Sequence, residues 1–307
     1  MRLRFTIIGL YLLAVLVSAS GCEKSKQEHP ARKTFGQQEV LIGLIPEQNI
    51  FRQRERYHVL KKYLSDKLGL TVNFTSLSRY GNIIERFEAE KMDGAFFGSF
   101  TGALAIRNLG VEPLARPVNL DGTSTYHGYI FVRKNSGIRT VGDMKGKRFA
   151  FVERATTAGY LFPLAYFKEH GVRDVHAYLG ETYFAGSHDA AIMAVLNSEA
   201  DIGSAKNTIY DQLARENPRI EKELVILAAS KTVPQNGLAV RKDLDPELKR
   251  ALKQVLLGMD RDGDGMDVLR QFGARSFVET TVGDYAYVNA LSAQVGIDLK
   301  TYRYKNE

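Results

Sequence analysis

Short apolar runs alternate with amphipathic runs from residue 40 onward, and the two periods predict an α/β protein. VLIGLI (40–45) has the continuous apolar character of a buried strand, and residues 52–68 place Tyr57, Leu60 and Leu64 on one helical face. LTVNFTSL (70–77) reads as a second strand, GNIIERFEAEK (81–91) as a second helix, and MDGAFFG (92–98) as a third strand running into the helix-like TGALAIRN. This βαβαβ order predicts a parallel sheet covered by helices, with ligands collecting beyond the carboxyl ends of the strands. A second series follows YIFVRKNSG: the strand RFAFVE (148–153), the helix after TTAG, a strand near VHAYL, the helix SHDAAIMAVLNS, then ADIGSAK and ELVILAAS (223–230). GLAVRKDL (237–244) begins a closing segment with two or more helices. We read two lobes, with YIFVR and GLAVR as the extended passages between them: residues 39–131 plus 238–307, and residues 132–237. Such a cleft can close on a ligand by hinge motion.

The first residues change the picture of where this body resides. Arg2 and Arg4 precede an apolar run from Phe5 to Val17, and small residues lead to Gly21 and Cys22, the layout of a secretory signal peptide over residues 1–21. Cys22 is the only cysteine, so it forms no internal disulfide. ASGC resembles a bacterial lipobox, which implies lipidation of Cys22; the alternative is an uncleaved signal anchor. Either way the body lies outside the cytoplasm, and residues 22–38 read as a polar tether. Loss of Arg2 and Arg4 lowers the formal charge from +7 to +5. That surplus is scattered, and the densest basic run, RQRERYHVLKK, is the solvated face of a helix, so no nucleic-acid partner is expected.

ERATTAGYLFP (153–163) puts two hydroxyls and little bulk at the mouth of a helix. The exposed N–H groups of a helix start attract an oxyanion, and small neighbours let one approach. An ordinary Thr cap explains the same residues. Pro163 removes an N–H inside that helix and predicts a kink or a late start.

ATTAGYLFP, GSHDAAIMAVLNSEADIGSAKN, DGAFFGSFTGALA, SRYGNIIERF and TVPQNGLAVRKDL together resemble the phosphonate, phosphite and phosphate-binding proteins of ABC importers, in the same order over about residues 40–285. The resemblance implies a two-lobed type II periplasmic-binding-protein fold with two crossover strands and an interlobe cleft. It also implies a small tetrahedral oxyanion held at Thr156, Thr157, Ala158 and Gly159, where the family has a Ser-Thr-Ser-Gly turn, and by His188 and Tyr80. Tyr126 lies near the first crossing and can donate a hydroxyl or pack as an aromatic. Phe97 stands where aminophosphonate binders carry a tyrosine, and Thr208 and Asn236 stand where they carry the two carboxylates that hold the ligand's ammonium. The implied ligand is therefore phosphate, phosphite or an alkylphosphonate, and not an aminoalkylphosphonate.

DRDGDGMDVLRQ (260–271) carries Asp260, Asp262, Asp264 and Gly265 as an EF-hand loop does, but Gln271 replaces the closing glutamate. A polar turn between helices is expected there, and no metal or other cofactor. GxSxG, P-loop and HExxH patterns are missing, which sets an exported phosphoester hydrolase behind a non-enzymatic receptor. The receptor's partner is an ABC permease in the cytoplasmic membrane or a membrane sensor protein, and its expected place is the periplasmic or extracellular face, as a membrane-anchored lipoprotein.

Overall fold

A computed structural model describes residues 38–77 and 83–304. In chain order, β1 (Glu39–Leu44), β2 (Thr71–Ser76), β3 (Gly94–Phe97) and β4 (Glu112–Val118) start one sheet, and β5 (Thr125–Tyr126) leaves it. A second sheet follows with β6 (Gly128–Arg133), β7 (Arg148–Phe151), β8 (Glu181–Phe184), β9 (Ile202–Lys206) and β10 (Leu224–Ala229). β11 (Val233–Pro234) returns to the first sheet, which β12 (Gly237–Val240) and β13 (Ser276–Glu279) complete. The six-stranded sheet has the order β13-β4-β12-β3-β1-β2 and the five-stranded sheet β10-β6-β9-β7-β8. This is the two-lobed arrangement that the chain's alternating pattern predicts.

The sheets are mixed, not purely parallel. β1 runs parallel to β2 and β3, and β7 to β8 and β9, whereas β12, entering from the other lobe, pairs antiparallel with β3 and β4. YIFVR is not a passage between lobes: β6 lies inside the second sheet between β10 and β9, so a border at 131/132 cuts a strand. GLAV likewise lies inside the first sheet, between β3 and β4. Continuous apolar runs belong where both faces of a sheet are covered. The crossing is the short ribbon in which Val233 faces Tyr126 and Pro234 faces Thr125.

Two local readings are corrected. Val175–Tyr178 is a helical turn, not a strand, because Asp174 Oδ1 accepts the Ala177 N–H at 3.0 Å; the strand is β8, immediately after it. β4 and β13 carry no sequence expectation because Pro113 and Pro117 break the strand signal of β4 and β13 is only four residues long.

Other elements form for legible reasons. Asn49 caps the Ile50–Leu68 helix by accepting the Phe51 N–H, Gly69 ends it at φ 65°, and Tyr57, Leu60, Leu64 and Leu68 face the first lobe's core. In the aspartate-rich segment the helix Gly263–Phe272 already begins at the third aspartate's neighbour, so no twelve-residue loop exists. The Lys67 ammonium contacts both Asp262 and Asp264, and the Tyr63 hydroxyl donates to Asp262 at 2.9 Å. A lysine thus takes the carboxylates that a cation would need. Among the described residues no helix is long and apolar enough to cross a membrane.

Thr157–Leu161 forms a π-helical turn, and the α-helix proper starts late, at Phe162, with Pro163 in its first turn. Packing dictates Gly159 here. A Cβ at this position would stand 2.3 Å from Val152 Cβ and 2.4 Å from its Cγ2. Gly159→Ala should destabilise the protein by about 1–3 kcal/mol, lowering the melting temperature in a thermal scan; an unchanged melting temperature would contradict this packing.

Candidate functional site

Two helix starts face each other across the cleft. The Ser99–Leu109 helix follows β3 through Gly98, which offers no capping side chain, and its first bond runs from the Gly102 N–H to the Gly98 carbonyl at 2.7 Å. The N–H groups of Ser99, Phe100 and Thr101 therefore precede the ladder. Opposite, the first bonds of the π turn come from Leu161 and Phe162, so Thr157, Ala158 and Gly159 present their N–H groups ahead of it. Both starts carry the partial positive charge of helix N-termini.

Three hydroxyls join between them. Ser99 Oγ lies 2.6 Å from Tyr126 OH and 2.6 Å from Thr157 Oγ1, and all three residues are buried. A chain of three hydroxyls consumes two of its own protons; rotated toward an oxyanion, it offers all three. Burial pushes the Tyr126 hydroxyl up to about 12, so it stays a donor at neutral pH.

His188 stands in the first turn of the helix His188–Leu196, which Ser187 caps by accepting the Ala190 N–H. Its Nδ1 accepts the backbone N–H of Lys206 at 3.2 Å, which leaves the neutral ring's proton on Nε2. Burial pulls the imidazole down to about 4 against the opposing pull of Glu47. His188 is thus a neutral donor.

A buried ion pair completes the wall. Lys206, at the end of β9, binds Glu47, which follows β1 on the other lobe. Asn236 Oδ1 lies 3.4 Å from the same ammonium, and the Tyr126 ring centroid 4.4 Å from it. Burial lowers the Lys206 amine, with Glu47 partly opposing; burial would raise Glu47, but Lys206 and Arg56 hold its carboxyl below the usual range. Beyond the pair opens a groove of about 760 Å³ lined among others by Arg52, Arg56, Thr208, Arg215 and Gln235.

The residues expected from sequence distribute unevenly. Thr157 and Tyr126 meet in the hydroxyl cluster, and Asn236 lies on the ion-pair wall. The Thr156 hydroxyl turns away and donates to the Glu153 carbonyl at 2.6 Å, so it neither joins the cluster nor caps the turn. Ala158 and Gly159 are buried and contribute backbone, while Phe97 is wholly buried with its ring 5.9 Å from Phe87. Thr208 is half-buried in the groove, away from these contacts. Tyr80 and Cys22 lie outside the described residues. Ser99, Glu47 and Lys206 carry no expectation from sequence. For Ser99 a signal existed: GSFTGALA places a hydroxyl at a strand-to-helix mouth just as ATTAG does.

A model of the phosphonate periplasmic substrate-binding proteins of ABC transporters matches residues 42–285. The chain belongs to this family. The phosphate-import protein PhnD of Mycolicibacterium smegmatis is 27% identical over 251 residues, covering 78% of each chain. The phosphonates-binding periplasmic protein of Escherichia coli is 24% identical over 271 residues, 87% of this chain and 79% of the relative. Among solved structures, a binding-protein component of a Pseudomonas aeruginosa ABC phosphonate transporter aligns with a TM-score of 0.78 at 22% identity, over 85% of this chain and 87% of that one. PhnD1 of Prochlorococcus marinus in complex with methylphosphonate aligns at 0.75 and 21%, over 84% and 98%. These structures share the fold of this phosphonate-binding-family chain.

The depressed imidazole makes a stability prediction. An unfolded histidine gains its proton near pH 6.5, whereas buried His188 resists until about pH 4, so the unfolded state binds more protons in between. Stability is therefore full above pH 6.5 and falls by about 3 kcal/mol as the pH drops toward 4. Urea melts of the wild type and of His188→Gln across this range should show a shallower loss in the variant; equal slopes would refute the assignment.

Proposed function

We propose that this protein is the receptor component of an ABC importer, lipid-anchored at Cys22, and that it captures a small phosphorus oxyanion by closing its lobes. Phosphate, phosphite and alkylphosphonates are the ligand class, and aminoalkylphosphonates are disfavoured. The observation that carries this reading is the buried hydroxyl cluster of Ser99, Tyr126 and Thr157 between two uncapped helix starts. Neutral donors drawn from both lobes suit an oxyanion, and hydrogen bonds to a charged partner are stronger than those between neutral groups. The family supports a permease as partner and a periplasmic location. The phosphate-import relative and the methylphosphonate-bound structure support the ligand class.

His188 supports capture rather than turnover: its Nδ1 accepts the Lys206 N–H, which places the neutral ring's proton on Nε2 as a donor. A thermal-shift panel on protein unfolded and refolded to strip ligand, run against phosphate, phosphite, methylphosphonate and sulfate, tests the reading. A phosphorus oxyanion at ~100 times its Kd should add about 2.7 kcal/mol, and sulfate should add little. Ser99→Ala and Thr157→Ala should each weaken binding by about 10–100-fold, whereas Thr156→Ala should stay within about threefold. Equal losses at Thr156 and Thr157 would sink the assigned cluster.

The anchor is tested apart from the site. Cys22→Ala should move the protein from the membrane pellet to the soluble extracytoplasmic fraction; retention in the pellet would exclude lipidation as the anchor.

A further inference from the structure

We propose that Lys206 is a specificity-determining residue: its ammonium, held by Glu47 and Asn236, takes the acceptors beside the hydroxyl cluster and so excludes ligands that carry a cation of their own. The inference rests on the proposed capture of a phosphorus oxyanion and names the residue that reads its substituent.

Lys206 and Glu47 come from opposite lobes, yet their side chains are only 3% and 9% exposed. The ammonium lies over the ring of Tyr126, and the hydroxyl of that same ring belongs to the cluster. Lys206 is therefore one tyrosine ring from the donors that would hold the oxyanion. Lys206, Glu47 and Gln235 also line the groove, so a substituent directed from the cluster toward the groove meets this pair.

The acceptors around the Lys206 ammonium and its backbone N–H are engaged. Glu47 Oε1 and Asn236 Oδ1 take the Lys206 ammonium, Glu47 Oε2 faces Arg56 at 4.0 Å, and His188 Nδ1 takes the Lys206 backbone N–H. Glu47 and Asn236 use two of the ammonium's three donors, which leaves a third for an anion. A ligand ammonium would meet a like charge at the aromatic face it needs, with its own water stripped away. A hydrogen, hydroxyl or methyl substituent is compact and neutral, and meets no such barrier. Without Lys206, the wall inverts: a buried carboxylate and an open tyrosine face are the features that receive an ammonium.

Calorimetric titration of the purified wild type, Lys206→Ala and Glu47→Gln with methylphosphonate and 2-aminoethylphosphonate tests this. The wild type should favour methylphosphonate by at least about 100-fold, and Lys206→Ala should cut that ratio at least about tenfold by gaining the amino ligand. Folded Glu47→Gln, which frees the ammonium, should keep or raise the ratio. A Lys206→Ala protein that binds methylphosphonate with the wild-type ratio overturns the proposal. If Lys206→Ala does not fold, the Lys206→Met/Glu47→Gln double variant, which removes both charges at similar volume, replaces it; an unchanged ratio there overturns the proposal equally. Failure of the wild type to bind methylphosphonate, phosphate or phosphite would instead overturn the proposed function, and this inference with it.

Discussion

Ser99 Oγ sits 2.6 Å from a hydroxyl on the crossing ribbon and 2.6 Å from one on the other lobe, and the two lobes meet around that contact. Polar groups removed from water cost about 1–3 kcal/mol each when left without a partner. A cleft built from hydroxyls and helix starts must therefore satisfy them internally or through a ligand. The three hydroxyls pair with one another at the cost of donor capacity, since two of three protons are spent inside the chain. In the proposed capture, an oxyanion of suitable size would recover those protons and engage N–H groups from both lobes at once. On that proposal, closure and capture are the same event.

The surrounding charges keep that cluster neutral. Glu47 and Lys206 cancel, Arg56 lies further off at 4.0 Å and partly exposed, and His188 is held uncharged by burial. A buried pair of this kind contributes little net stability, because desolvation offsets most of its attraction. Breaking it is a different matter, since a lone buried charge costs several kcal/mol. The pair thus adds little to the stability of the fold, which agrees with the specificity role proposed for Lys206.

Sequence patterning carried the fold a long way because strands and helices in this chain announce themselves through local periodicity. It failed where local and tertiary signals diverged. Pro113 and Pro117 conceal β4, and the apolar run of β6 suits a sheet interior as well as a passage between lobes, which only strand pairing distinguishes. The candidate site could be picked out from sequence where it is made of contiguous backbone, as at Thr157 to Gly159. Lys206 and Glu47 are 159 positions apart, and nothing in either neighbourhood encodes the other. Thr156 and Thr157 show the finest limit: adjacent, chemically identical hydroxyls diverge because one lies at the cap of the π turn and the other inside it.

Release of a ligand must undo the contacts along one lip, where residues 47–56 meet the second lobe. Arg52 pairs with Glu216, but at 50% and 40% side-chain exposure such a pair is worth about 0–1 kcal/mol. The Asn49 N–H donates to Asp189 Oδ2 at 3.1 Å in an exposed setting, where water replaces it at small cost. Lys206 and Glu47 lie deeper, and on opening both charges regain hydration, which compensates the lost attraction. None of the three contacts alone is strong enough to lock the lobes. Under the proposed function, the balance between open and closed forms would then fall to the hydroxyl cluster and the anion proposed to bind there, the condition under which a receptor both captures and releases.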